Sequence, residues 1–380
     1  MKSIKEIFRY GTVILVLSLG STFTAIASDF TTTKVLAEQG NAEAQHHIGK
    51  LYDKGEGGID RDYAKAFEWY QKAANQGYAK AQNNIGSMYN NGNAVRQDYA
   101  KAFEWYQKAA NQGIPTAQYN LGTMYEKGEG VSQNYTKAFE WYQKAANQGF
   151  ATAQYNLGTM YNNGKGVRQD HAKAFEWYQK AASQEEVHAQ FNLGQIYLNG
   201  EGVSQNYTKA FEWYQKAANQ GFAKAQANLG GMYAKGEGGV RQDYVKAFEW
   251  LQKAANQGEA GGQANLGTMY VYGKGVRQDY AKAFEWYQKA ANQGVASGQS
   301  NLGGMYYNGT GVRQDYKKAF EWYQKAANQE YPDAQFNLGT MYKYGTGVKK
   351  NETKAKESFG KACDIGNQEG CDEYSKLNQR

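Results

Sequence analysis

Between Ile114 and Gly149 the apolar positions fall into two helical runs separated by a glycine-rich turn. Ala117, Leu121, Met124 and Tyr125 share one face at helical spacing, which predicts a helix from about Pro115 to Glu126. Gly128 and Gly130 then stop it, because glycine adopts the positive φ that other residues resist. Asn134 supplies an N-cap for a second helix, which ends before Gly149 at the position that follows a C-cap. The only two prolines, Pro115 and Pro332, each stand three residues before a corresponding glutamine, Gln118 and Gln335, where proline suits a helix start.

The same pattern returns along the chain. Trp69, Trp105, Trp141, Trp177, Trp213, Trp250, Trp286 and Trp322 follow one another at 36 residues, with a single interval of 37. An array of that period predicts stacked helical hairpins, none of which buries its apolar face alone. From Asn41 to Gly366 the chain holds nine such units, and two extra loop residues are absorbed in Gly55-Glu-Gly-Gly58 and Gly236-Glu-Gly-Gly239. A glycine recurs in the middle of each first helix, as Gly122 and Gly158, at about 1 kcal/mol of helix propensity relative to alanine. Close approach of the two helices is the expected reason. Residues 28–40 are expected to cap the array at its start with the tail of a second helix, and residues 367–380 to cap its end.

Charge and composition narrow the function. The net charge of +7 falls to +5 without residues 1–27, which contribute Lys2, Lys5 and Arg9 against Glu6. Arginines recur singly in loops, as Arg96, Arg168 and Arg277, and do not form the basic patch that nucleic-acid binding needs. Residues 1–27 combine the basic start with an apolar run, Thr12 to Leu19, and small residues at Ala25 to Ala27, the pattern of a cleaved signal peptide. The run is too short to cross about 30 Å of hydrocarbon as a helix. The expected location is therefore a periplasm or the outside of the cell, with no stable membrane insertion after cleavage. Cys363 and Cys371 stand eight positions apart across a predicted turn. An even cysteine count in an exported chain points to a disulfide, two free thiols being the alternative.

The motif Ala81 to Gly113 follows Ala-x-x-x-Leu-Gly-x-Met-Tyr-x-x-Gly-x-Gly-Val-x-x-Asp-Tyr-x-Lys-Ala-x-x-Trp-Tyr-x-Lys-Ala-Ala-x-x-Gly, with Ile85 for the leucine and Ala94 for the second loop glycine. It resembles the Sel1-like repeat, and the resemblance covers nearly the whole chain after residue 27. What it implies is an all-α fold, a right-handed α/α solenoid of about nine helix-turn-helix units related to tetratricopeptide arrays, used as a scaffold for protein partners. The spacing of Cys363 and Cys371 is also similar to that in the Helicobacter cysteine-rich proteins, whose repeats carry such a disulfide.

Differences among the nine copies locate a candidate site. The second helix is nearly copied out as Lys-Ala-Phe-Glu-Trp-Tyr-Gln-Lys-Ala-Ala. In the first helix, numbered from three places before its glutamine, variation concentrates at positions 2, 5, 9, 12 and 13. Positions 2, 5, 9 and 12 share one helical face, the concave surface in tetratricopeptide-like arrays. Position 5 carries Tyr119, Tyr155 and Phe191 in successive units and Phe336 in the last, rings suited to apolar or proline-rich peptide segments. Position 6 carries Asn84, Asn120, Asn156, Asn192 and Asn228, whose amides offer a donor and an acceptor to an extended backbone. Packing between repeats is the alternative role for both sets.

No metal or cofactor motif occurs. His46, His47, His171 and His188 are scattered, and Cys-x-x-Cys and His-Glu-x-x-His are missing. The Gly-x-Gly-Val loops lack the preceding strand of a nucleotide-binding turn. Ser358-Phe-Gly-Lys361 matches Ser-x-x-Lys, in which the lysine helps to activate a serine nucleophile in β-lactam-recognising enzymes. Some Helicobacter cysteine-rich proteins are described as penicillin-binding or β-lactamase proteins, so such an enzyme is the alternative function. The companion motifs Ser-Asp-Asn and Lys-Thr-Gly are missing, and the expectation is a non-enzymatic scaffold whose concave groove binds a protein or peptide in envelope assembly, signalling or host contact. Cell-wall glycan along the tyrosine-rich groove is a third reading.

Overall fold

The computed structural model describes residues 21–379, and among these it forms twenty α-helices and no strand. The basic start and apolar run of the expected export signal lie outside the described residues, and only positions 21–27 of that segment fall inside the first helix. The chain divides into two compact units, residues 1–181 and 182–380. The first holds α1 (Ser21–Glu38), α2 (Ala42–Lys54), α3 (Tyr63–Asn75), α4 (Ala79–Asn91), α5 (Tyr99–Asn111), α6 (Pro115–Lys127), α7 (Tyr135–Asn147), α8 (Ala151–Asn163) and α9 (His171–Ala182), whose last residue belongs to the second. The second continues with α10 (Val187–Asn199), α11 (Tyr207–Asn219), α12 (Ala223–Lys235), α13 (Tyr244–Asn256), α14 (Ala260–Tyr272), α15 (Tyr280–Asn292), α16 (Ala296–Asn308), α17 (Tyr316–Ala327), α18 (Pro332–Tyr344), α19 (Glu352–Asp364) and α20 (Gln368–Asn378). Even-numbered helices from α2 to α18 are the first helices of nine repeats, and odd-numbered helices from α3 to α19 the second. Within each unit a first helix packs on the second helix of its own repeat, and that helix packs on the next repeat, as in α6 on α7 and α7 on α8. The fold is an all-α repeat solenoid.

Local sequence sets the helix ends. The Asn134 side chain accepts from the Lys137 amide at 2.9 Å and caps α7, and Asp279 does the same for α15 at 3.0 Å. Such caps contribute about 1 kcal/mol each. The first helix α6 closes on Gly128 in the left-handed region, whose amide donates to the Met124 carbonyl. Gly166 in the next loop shows why the second loop glycine recurs: its φ is +69°, and a Cβ there would sit 2.2 Å from the Tyr135 carbonyl oxygen. The loop thus seats directly on the start of the preceding repeat's second helix.

The core is built from small residues and interleaved rings. Ala117, Leu121, Ala138, Tyr142 and Ala145 are fully buried between α6 and α7. A Cβ on Gly122 would approach Tyr142 Cδ1 to 2.7 Å, so the mid-helix glycine lets α7 come close enough to lay its tyrosine across α6. Buried glutamines fasten one repeat to the next. Gln118 Nε2 donates to the Ala110 carbonyl at 3.2 Å, and its Oε1 accepts from Gln148 Nε2 at 2.8 Å. Gln263 repeats the arrangement with Ala255 and Gln293 in the second unit. At the start, Gln45 bonds the Ala37 carbonyl of α1, which stands where a preceding second helix would. A buried amide left without these partners would cost about 1–3 kcal/mol.

Candidate interaction surface

The variable positions of the first helix lie over the rings of the second. The Tyr119 ring centre is 5.6 Å from Tyr142 and 5.3 Å from Phe150. Tyr155 lies 5.9 Å from Tyr178, Phe191 5.7 Å from Tyr214, and Phe336 5.6 Å from Phe359. All four are half-buried, with one side against their own repeat. Tyr119 and Tyr155 belong to the first unit, Phe191 and Phe336 to the second. Of the position 6 asparagines, Asn84 reaches His46 Nε2 at 3.3 Å and Asn120 donates to Asn83 Oδ1 at 3.4 Å, both links between neighbouring repeats. Asn156 borders a small cleft with Glu126 and Thr159, Asn228 lies beside the Tyr214 phenol, whose hydroxyl donates to Gln195, and Asn192 is half-buried on α10.

Position 9 has a role that the sequence did not disclose. Thr123 Oγ1 lies 3.1 Å from the Tyr142 hydroxyl, Thr159 Oγ1 3.1 Å from that of Tyr178, and Thr268 Oγ1 2.9 Å from that of Tyr287. Each threonine therefore satisfies the tip of a buried tyrosine on the second helix. Burial raises the phenols of Tyr142 and Tyr287: Tyr287 is pushed up to about 12, so it stays protonated and acts as a neutral donor and acceptor. Lys50, Ser87 and Gln195 take the position in other repeats, and two repeats carry glycine there. In one, Gly231 takes position 9 and Leu251 replaces the tyrosine, so nothing needs satisfying. In the other, Gly304 takes position 9 and Tyr323 remains. The signal was the double glycine Gly303-Gly304 followed by a retained tyrosine, a mismatch within one repeat.

That mismatch opens a cavity of about 410 Å³ in the second unit, on the face of α16 and α18 that carries the variable positions. Ser300 in place of an aromatic residue and Gly304 in place of threonine form its floor. Phe336 and Tyr323 form a wall, and Asp333 and Glu369 stand at its rim. No lysine or arginine lines it. A smaller cavity of about 240 Å³ adjoins it around the same Tyr323, Phe336 and Asn337, and there Lys343 is paired with Glu373.

On the opposite helices, Lys144 Nζ sits 3.8 Å over the Trp141 ring and Lys289 Nζ 4.0 Å over Trp286, so the regular tryptophans carry cation–π pairs along the second helices. Cys363 and Cys371 form a disulfide, with Cα atoms 4.5 Å apart, that ties α19 to α20. Ser358 is buried, and the Lys361 ammonium is 2.8 Å from Glu357 Oε1 on the exposed side of α19. The Ser-x-x-Lys pair is thus not assembled as nucleophile and activator. Among the described residues no group of three or more His, Cys, Asp or Glu side chains is placed to hold a metal ion, and no helix is long and apolar enough to cross a membrane.

A family model described as Sel1 repeat matches nine successive segments, residues 42–78, 79–114, 115–150, 151–185, 187–222, 223–259, 260–295, 296–331 and 332–367. Among solved structures, the chain is similar to c5321, a protective antigen present in uropathogenic Escherichia coli strains and displaying an SLR fold. That protein is 33% identical over 92% of this chain and 90% of its own, with a TM-score of 0.56. A Sel1 repeat protein from Oxalobacter formigenes is 32% identical over 64% of this chain and 96% of its own, with a TM-score of 0.59. Helicobacter pylori cysteine rich protein B is 32% identical over 34% of this chain and 93% of its own, with a TM-score of 0.29, too low to support a structural argument. Among curated proteins there is no significant match.

Proposed function

This chain belongs to the Sel1 repeat family, and on that footing we propose that it is an exported scaffold that seats a protein or peptide partner on the concave face formed by its first helices. Sel1 repeat proteins are in general non-enzymatic scaffolds for protein–protein interaction. One observation carries the finer reading: the side chains that differ among the nine repeats gather on one face of the first helix, while the second helix is nearly invariant. A solenoid needs every repeat to stack alike, so variation confined to one face is variation that stacking does not demand. The cavity beside Ser300 and Gly304 opens on that same face.

Export rests on the pattern of residues 1–27, and the Cys363–Cys371 disulfide suits an oxidising compartment. A protective antigen as a structural neighbour is in keeping with it. Fractionation followed by N-terminal sequencing tests this point: a periplasmic or secreted chain beginning near Ser28 supports it, and a cytosolic chain beginning at Met1 overturns it. For the surface, residues 28–380 are used as bait against a cell-envelope extract beside the triple variant Tyr119→Ala, Tyr155→Ala, Phe191→Ala. Alanine already stands at the same position as Ala227 and Ala264, so the fold accommodates it. A partner held by the wild type and lost by an equally helical variant supports recognition through this face. Equal retention by both places the partner elsewhere.

A further inference from the structure

We infer that the cavity between α16 and α18 is a receptor for one basic side chain, the guanidinium group of an arginine on a partner segment. The inference rests on the reading of the first-helix face as the partner surface and names what that face recognises in the second unit.

The first observation is a hydroxyl that opens to the cavity without a side-chain partner. Tyr323 is only 5% exposed, yet no described side chain or carbonyl bonds its phenol, because Gly304 stands where Thr123, Thr159 and Thr268 serve the equivalent tyrosines. A Cβ on Gly304 would lie 3.5 Å from the Tyr323 hydroxyl, so that oxygen borders the space the missing threonine leaves. Burial raises the Tyr323 pKa, and the neutral hydroxyl faces the cavity as a free donor and acceptor. The ring is held by the core while the hydroxyl opens to the cavity, where a donor on a bound ligand would reach it.

The second observation is the chemistry of the lining. Asp333 and Glu369 bring two carboxylates, and Asn301 and Asn337 bring amide oxygens, with no cationic side chain among the lining residues of a chain whose net charge is +7. Asp333 accepts from Asn367 Nδ2 at 3.2 Å, which fixes the carboxylate and leaves its other oxygen available. Guanidinium presents five donors and no acceptor, the complement of such a set. The Phe336 ring supplies a face for cation–π contact, an arrangement this molecule already uses along its tryptophans. The volume falls within the range of small-ligand pockets.

The test is a saturation-transfer NMR titration of the purified protein with three probes: N-acetyl-arginine amide, its uncharged isostere N-acetyl-citrulline amide, and N-acetylglucosamine. Wild-type protein is expected to bind the arginine probe at least tenfold more tightly than the citrulline probe. Asp333→Asn should weaken it at least threefold. Gly304→Thr and Ser300→Tyr should abolish the signal, because both fill the cavity with residues that other repeats carry at those positions, and either one folded suffices. The inference is overturned by no arginine signal, by equal citrulline binding, by preference for the sugar, or by unchanged binding in a folded filling variant. The envelope bait experiment is read separately. A partner lost with the Tyr119, Tyr155 and Phe191 triple variant but kept by Gly304→Thr leaves the scaffold function standing and removes the arginine receptor. A folded triple variant that still holds its partner removes the Tyr119, Tyr155 and Phe191 face as the partner surface whatever the probes do.

Discussion

The third and eighth repeats contain the same hairpin with opposite contents. In the third, the Tyr119 ring lies against Tyr142 and Phe150, and Thr123 and Glu126 both bond the Tyr142 hydroxyl. In the eighth, Ser300 and Gly304 leave the corresponding space open above Tyr323. The framework beneath is common to both: a Cβ would meet the tyrosine ring at 2.7 Å on Gly122 and at 2.9 Å on Gly303. Helix pairing is thus fixed by the glycine at position 8 and the ring it faces, while positions 5 and 9 decide whether the repeat is filled or hollow. A repeat can therefore acquire a site without altering how it stacks.

The largest expected effect concerns the disulfide that brackets Asn367 and Glu369 of the hollow region. Cys363→Ser with Cys371→Ser removes a loop-closing bond worth about 2.5 kcal/mol by chain entropy. Because solenoid stability is local, hydrogen exchange should accelerate in α20 and leave α6 and α7 unchanged. Uniform acceleration would mean that the disulfide acts on the whole chain, and the two regions would not be independent. Next come the adjacent glycines of α16. Gly303→Ala should destabilise by about 1–2 kcal/mol, since overpacking against the Tyr323 ring exceeds the gain in helix propensity. Gly304→Ala should stabilise by about 1 kcal/mol, since its Cβ meets only an ordinary contact. Urea denaturation of both variants checks the sign difference, and a shared sign would refute the division between framework and site.

Much of this was legible before the structure. Repeat length, helix order, the Asn134 cap and the Gly128 stop follow from spacing and turn chemistry, because each is local. The mid-helix Gly122 announced a close approach, though not which side chain approached. Gln118 was visible only as a register mark. Its bonds to Ala110 and Gln148 join segments 8 and 30 residues away, and no periodicity encodes such pairing. The cavity was hidden for a related reason. Gly304 is informative only when Tyr323, nineteen residues on, is known to lack the threonine that serves its counterparts.

Gly304→Thr joins the two regions directly, since it makes the eighth repeat like the third at position 9. The new hydroxyl would reach Tyr323 as Thr123 reaches Tyr142, and the helix would lose one glycine. Together these should stabilise the second unit by about 1 kcal/mol. An unchanged or lowered denaturation midpoint would show that the Tyr323 hydroxyl is already satisfied, for instance by water, and that the hollow carries no stability cost.

The smallest effect concerns His46, a third version of position 5. Its ring lies 5.6 Å from Tyr70 and 5.2 Å from Tyr78, the setting that Tyr119 has in the third repeat. Burial, followed by the charges of Lys80, Lys50 and His47, lowers its pKa from 6.5 to about 4. The unfolded chain therefore takes up a proton that the folded chain refuses between those values, and stability falls as pH drops from 6.5 towards 4. Above pH 6.5 both states are neutral at this site and the contribution is complete. The half-exposed ring is screened, so the loss should amount to about 1 kcal/mol or less. Urea midpoints at pH 7 and pH 4.5 should separate more in the wild type than in His46→Tyr, which places a non-titrating ring in the same packing. Equal separation in the two proteins would assign the acid sensitivity to carboxylates elsewhere, and position 5 would then differ among repeats in shape alone.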